Sequence, residues 1–207
     1  QAKLTATERA RGTPADVALI QSSFLPDLLD FHAIQPLRPL REGETDEARI
    51  RAFERNRSLW AEALYFDSHL VFYNPELVDL PDREEWTLGQ LETIARRLSP
   101  RVEVPLTWNA YSAYWFVPFL YGFGKERLID PDGGITLNDE AARRALAYII
   151  HLRDAGYLEI TERDAMLSRF ATGDVGIILS GSYSIPLFEE LGIPFGVAAY
   201  PVVKEHD

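Results

Sequence analysis

The amino-acid sequence predicts an α/β fold, and three observations carry that expectation. Apolar runs alternate with segments of helical period along the chain. The apolar runs are continuous, as in strands buried on both faces of a sheet. Glycine, proline and polar loop residues punctuate the chain between them. With 207 residues, 46% of them hydrophobic and 26% charged, the chain is long enough for one large domain or two small ones with a real core.

Thr5–Arg11 is polar and helix-compatible, and Gly12-Thr13-Pro14 ends it. Asp16–Ile20 reads as a short buried strand and Gln21-Ser22-Ser23 as a polar loop. From Phe24 a helix buries Leu25, Leu28, Leu29 and Phe31 until Pro36 and Pro39 stop the pattern. Ser58–Tyr73 reads as two extended runs interrupted by Asp67-Ser68-His69 and closed by Asn74-Pro75. Trp86-Thr87 starts a helix through Leu88, Leu91, Ile94, Ala95 and Leu98, which Ser99-Pro100 terminates. Val102–Leu106 is the next strand. Trp108–Tyr121 is dense in aromatics, and the glycines at 122, 124, 133 and 134 mark a loop. Asn138 is placed to N-cap a helix over Asp139–Asp154, which Gly156 ends. A helix near Thr161–Phe170 leads through Gly173 into the strand Val175–Leu179, and Phe195–Tyr200 is the last strand.

Composition excludes several functions. A net charge of −11, from 32 acids against 21 bases, disfavours nucleic acid and anionic lipid as partners. The arginines between Arg49 and Arg57 alternate with glutamates and read as a solvated face. The absence of cysteine removes disulfides, thiolate metal sites and thiol nucleophiles. No stretch approaches the ~20 apolar residues of a membrane span, and the N-terminal residues lack the apolar core of a signal peptide. An exported protein would therefore carry its targeting segment outside this chain. His32, His69, His151 and His206 are scattered, and no phosphate-binding loop or nucleophile elbow occurs, so neither a metal nor a cofactor is expected.

In open α/β sheets ligands bind beyond the carboxyl ends of strands. That rule selects three loops: Gln21-Ser22-Ser23, Thr107-Trp108-Asn109, and Ser180-Gly181-Ser182-Tyr183. They offer hydroxyl, amide and aromatic groups and no nucleophile with an evident base, which suits holding a hydroxyl-rich ligand. Tyr114 stands at a loop end, and Trp115 beside it joins the candidates. By size Trp115 also suits core packing, as do Trp60 and Trp86.

Four stretches resemble the family-one extracellular solute-binding proteins. They are Pro14–Val17 with the following helix and Ala33–Leu37; Leu64–Leu77, "LYFDSHLVFYNPEL"; Glu85-Trp86-Thr87; and Phe170–Tyr183, "FATGDVGIILSGSY", with Gly196–Pro201 after it. The resemblance covers most of residues 14 to 203. It implies a periplasmic-binding-protein-like fold of type II, present as part of a first lobe over residues 1–63, an interlobe crossover over 64–73 and a second α/β lobe over 74–207. It also implies capture of a sugar or oligosaccharide outside the cytoplasmic membrane and delivery to an ABC transporter permease, with no catalysis. Position by position, Asp67 falls where a crossover carboxylate meets sugar hydroxyls, Tyr114 where a tyrosine packs on the sugar, and Tyr183 where a tryptophan commonly stacks. Gln21, Ser22 and Ser23 fall in the first-lobe polar loop.

The candidate ligand contacts are thus Gln21, Ser22, Ser23, Asp67, Trp108, Asn109, Tyr114, Trp115, Ser182 and Tyr183. The chain departs from the pattern by its tyrosine at 183, by Asn56-Arg57-Ser58 where a glycine turn is common, and by its shortness. An incomplete first lobe would leave the Asp16–Ile20 strand with an open edge through which chains could associate. Two rival readings remain: a glycan-processing enzyme using Asp67 with a second carboxylate, and an envelope interaction module without a small ligand.

Overall fold

A computed structural model of the chain describes residues 15–43, 48–80, 85–130 and 133–204. The chain divides into two compact units, Gln1–Phe66 and Asp67–Asp207. The expected helix at Thr5–Arg11 lies outside the described residues.

The first unit holds a 3-10 turn, Ser22–Phe24, running into α1 (Leu25–Asp30), then β1 (Arg38–Pro39), α2 (Ala48–Phe53), β2 (Glu54–Arg55) and β3 (Ser58–Leu59). Leu25, Ile50, Phe53 and Leu59 close a small core over the antiparallel sheet β1-β3-β2. β2 and β3 pair Arg55 with Ser58, so Asn56 and Arg57 form a two-residue turn in which both have positive φ, 53° and 58°. That is the mirror-image turn whose twist suits a hairpin, and asparagine tolerates it without glycine.

Asp16–Ile20 is not a strand. The described residues place no strand beside it, Val17 is 88% exposed and Leu19 72%. An apolar run becomes a strand only where a neighbour takes up its backbone groups. With no ladder here, the open strand edge on which association was premised is absent too. For the same reason residues 60–68 form no strand, and only the second of the two runs expected between Ser58 and Tyr73 appears at length.

The second unit runs β4 (His69–Tyr73), α3 (Leu88–Leu98), β5 (Val104–Trp108), a 3-10 turn at Ala113–Phe116, α4 (Val117–Gly122), α5 (Glu140–Asp154), β6 (Leu158–Ile160), α6 (Arg163–Thr172), β7 (Val175–Gly181), α7 (Ser184–Leu191) and β8 (Gly196–Ala198). The strand order is β6-β5-β7-β4-β8. Every residue of β5 and β7 is buried, as expected for central strands covered on both faces. The cover comes from Leu88, Leu91, Ile94 and Leu98 of α3, Ala145, Ile149 and Leu152 of α5, and Met166, Leu167 and Phe170 of α6.

Local chemistry sets the helix ends. Thr87 accepts from the Gln90 backbone while the Gln90 side chain accepts from the Thr87 backbone, a complete capping box. The α5 cap is Asp139, one residue after the expected Asn138, because the Asp139 carboxylate reaches the Ala142 N–H at 2.8 Å. Gly173 ends α6 at φ +80°, where a side chain would be strained. β6 and α7 were not anticipated; three residues are too few for β6 to declare a period.

Candidate ligand-binding site

Sheet polarity gathers the site. β5, β6 and β7 run parallel, β4 runs antiparallel to β7, and β8 antiparallel to β4. The carboxyl ends of β5, β6, β7 and β8 therefore share one edge with the amino end of β4. Asn109, Glu162-Arg163, Ser182-Tyr183, Tyr200 and Asp67-Ser68-His69 all emerge there.

Two backbone segments are clamped together at this edge. His69 registers against Gly181, the Ser182 N–H donates to the Ser68 carbonyl at 2.9 Å, and the Ser68 N–H donates to Ser182 Oγ at 3.1 Å. Ser182 Oγ in turn donates to Asp67 Oδ1 at 3.1 Å. Ser182 thus acts as a strut between β7 and the approach to β4, its hydroxyl engaged with the Asp67 carboxylate.

Around that strut lies a group of rings. Tyr114 meets His69 edge-on at 4.2 Å between centroids, Trp115 stacks on His69 at 4.8 Å, and Tyr114 and Trp115 meet each other edge-on at 5.2 Å. Tyr200 lies 6.0 Å from His69. Tyr114 is 52% exposed and Tyr183 40% exposed, whereas Trp115 is buried. Burial, then the nearby Tyr183 and Asp67, holds the Tyr114 phenol above its usual range. Burial, then Tyr114 and Tyr183, pushes the Tyr200 phenol up further. Burial alone lowers the His69 imidazole, which favours its neutral form.

Tyr183 is positioned from two sides. The Arg163 guanidinium lies over its ring, 5.5 Å from the centroid. On the chain side the ring crowds Gly181: a Cβ there would sit 2.3 Å from Tyr183 Cε1.

Part of the Thr107-Trp108-Asn109 segment is drawn into the core. Trp108 is the last residue of β5, fully buried and stacked on Phe119 at 5.4 Å, so it belongs to the core. Thr107, expected in the same loop, is also in β5, and its hydroxyl donates to the Glu159 carbonyl. Asn109 does reach the edge, where its amide donates to Glu162 Oε2 at 3.3 Å. Gln21, Ser22 and Ser23 belong to the first unit, where all three are exposed. Among the described residues no strand precedes them, so their candidacy rests on the family resemblance. His69, Arg163 and Tyr200 were missed, since nothing local marks them; only strand register could have pointed to His69.

A separate hollow of about 350 Å³ lies between the 3-10 turn and α5, lined by Trp108, Tyr111, Phe116, Leu146, Ile149 and Ile150. Its apolar walls suit a hydroxyl-rich ligand poorly. Among the described residues no acid, histidine or cysteine cluster could hold a metal ion, and no helix is long and apolar enough to cross a membrane.

No family model and no curated protein sequence matches the chain. Solved structures do. The GacH receptor of Streptomyces glaucescens, solved without ligand and with acarbose and an acarbose homologue, aligns over 99% of this chain and 56% of its own at 24% identity and a TM-score of 0.80. The extracellular solute-binding protein of Staphylococcus aureus, solved with maltose, aligns over 98% of this chain and 56% of its own at 21% identity and a TM-score of 0.77. The fold is that of the extracellular solute-binding proteins. This chain spans little more than half the length of those solute-binding structures.

Proposed function

We propose that the chain belongs to a carbohydrate-capture protein that works outside the cytoplasmic membrane and hands its ligand to an ABC transporter permease. The observation that carries this reading is the convergence of Tyr114, Tyr183, Asp67 and Ser182 on one sheet edge of a fold whose solved neighbours hold acarbose and maltose. Sugars present apolar ring faces and a belt of hydroxyls. Aromatic planes match the first, and carboxylate and amide groups match the second. Asp67 accepts from the Ser182 hydroxyl through one oxygen, which leaves acceptor capacity for a ligand hydroxyl.

Capture requires no group to act as acid, base or nucleophile, and Ser182 serves as a strut. In this reading residues 1–63 supply part of a first lobe, 64–73 the crossover and 74–207 the second lobe.

Thermal-shift and calorimetric titration with maltose, longer maltodextrins and acarbose tests the proposal. A ligand present at 100 times its dissociation constant raises stability by about 2.7 kcal/mol. Absence of any shift across neutral oligosaccharides removes the carbohydrate reading, and release of reducing ends on incubation turns it into an enzymatic one.

A further inference from the structure

The imidazole of His69 closes a triangle of rings with Tyr114, which meets it edge-on, and Trp115, which stacks on it, and Tyr200 lies 6.0 Å away. It is partly exposed, it opens β4 at the shared sheet edge, and the Asp67–Ser182 strut stands two residues before it. No described residue hydrogen-bonds its ring nitrogens, while its three ring neighbours wall off much of its surface. A neutral imidazole offers one N–H donor and one bare nitrogen acceptor, the complement of a sugar hydroxyl.

We propose that the ligand packs directly against His69, so that protonation of this imidazole weakens carbohydrate binding. The inference rests on the carbohydrate reading of this edge and goes beyond it by naming a contact and a pH response. A ligand over His69 takes away the water that would solvate an imidazolium, and protonation removes the acceptor nitrogen. The titratable groups against His69 are Tyr114 from the 3-10 turn and Tyr200 after β8; Tyr183 stands near Tyr114 with Arg163 over its ring, and Asp67 is on the same segment as His69. Tyr114 and Tyr200 are pushed further up by burial and stay neutral across the range of interest. Burial is the single cause of the His69 shift and no acid contributes to it, so Asp67 does not act as a partner for the imidazolium.

The sign follows. Burial lowers the midpoint of His69 below its usual 6.5, and a ligand that disfavours the charged form lowers it again. Affinity is then full above about that usual value and falls as the pH drops through the ligand-free midpoint, by at most about tenfold per pH unit.

Calorimetric titration of the chain with maltotriose at pH 7.5, 6.0 and 5.0, for the wild type, His69→Gln and Asp67→Asn, tests this. Glutamine keeps a planar donor and acceptor but cannot titrate. The expected result is a loss of affinity toward pH 5.0 in the wild type that persists in Asp67→Asn and disappears in His69→Gln. An NMR titration of the His69 ring proton in the wild type, with and without saturating maltotriose, should show a lower midpoint with ligand and holds even if the variants fold poorly. A flat wild-type profile, an acid loss retained in His69→Gln, or a midpoint unmoved by ligand overturns the proposal. No binding at any pH overturns instead the carbohydrate reading beneath it.

Discussion

Gly181→Ala is the substitution that most sharply tests whether Tyr183 serves as a platform. Gly181 sits in β7 opposite His69 and has no positive φ, so alanine suits its backbone. The new methyl would nevertheless lie 2.3 Å from Tyr183 Cε1. Carbon atoms rest at about 3.5–4.0 Å, so the ring must retreat by roughly 1 Å or more. The ring is 40% exposed and can yield toward solvent against its Arg163 contact, and the cost to folding should stay within about 1 kcal/mol. Binding has less latitude. Truncating a central aromatic contact costs on the order of 1–3 kcal/mol, and a displaced platform should lose a large part of that, roughly tenfold in affinity. Calorimetry on Gly181→Ala, Tyr183→Ala and the double variant measures it. The alanine at 181 should weaken binding when Tyr183 is present and do nothing further once Tyr183 is gone. Wild-type affinity in Gly181→Ala, or additive losses in the double variant, would refute the reasoning.

Three further outcomes follow from the same structure. Asp67→Asn should weaken carbohydrate binding by about 1.5–3 kcal/mol, the contribution of a charged acceptor, with an unchanged melting curve in the absence of ligand; unfolding instead would make Asp67 structural. Thr87→Ala breaks the capping box of α3 and should lower stability by about 1 kcal/mol in urea titration without touching ligand affinity. Asp139 is held below its usual 3.8 by Lys125 first and by the Ala142 N–H second. Its contribution is therefore fully present above about that value and lost as the pH falls through the lower folded midpoint. Stability curves of Asp139→Asn should accordingly lose part of the wild type's acid limb below pH 4; an unchanged limb would contradict the pairing.

Much of the second unit was legible because its signals are local. Trp86-Thr87 announces a helix start, and Val175–Leu179 is apolar enough to be a central strand in any arrangement of its neighbours. Gly173 and Gly156 mark helix ends by a backbone conformation, φ +80° and +75°, that other residues rarely adopt. Tyr183 and Ser182 are legible from their place after a strand and Asp67 from the family resemblance, and the structure brings those three to one edge.

What only the tertiary structure decided depends on partners distant in the chain. Asp16–Ile20 has the composition of a strand but finds no neighbour among the described residues, and composition cannot supply one. Trp108 looks like a loop aromatic until β5 is seen to extend two residues further and pair Trp108 with Ile160, which places its ring against Phe119. His69 looks like an isolated histidine until register sets it opposite Gly181 and the chain fold closes Tyr114, Trp115 and Tyr200 around it. Period and caps are properties of a few consecutive residues, so the sequence by itself determined the long helices and central strands that carry them; pairing and burial are properties of the whole chain, so the fold alone determined which side chains meet.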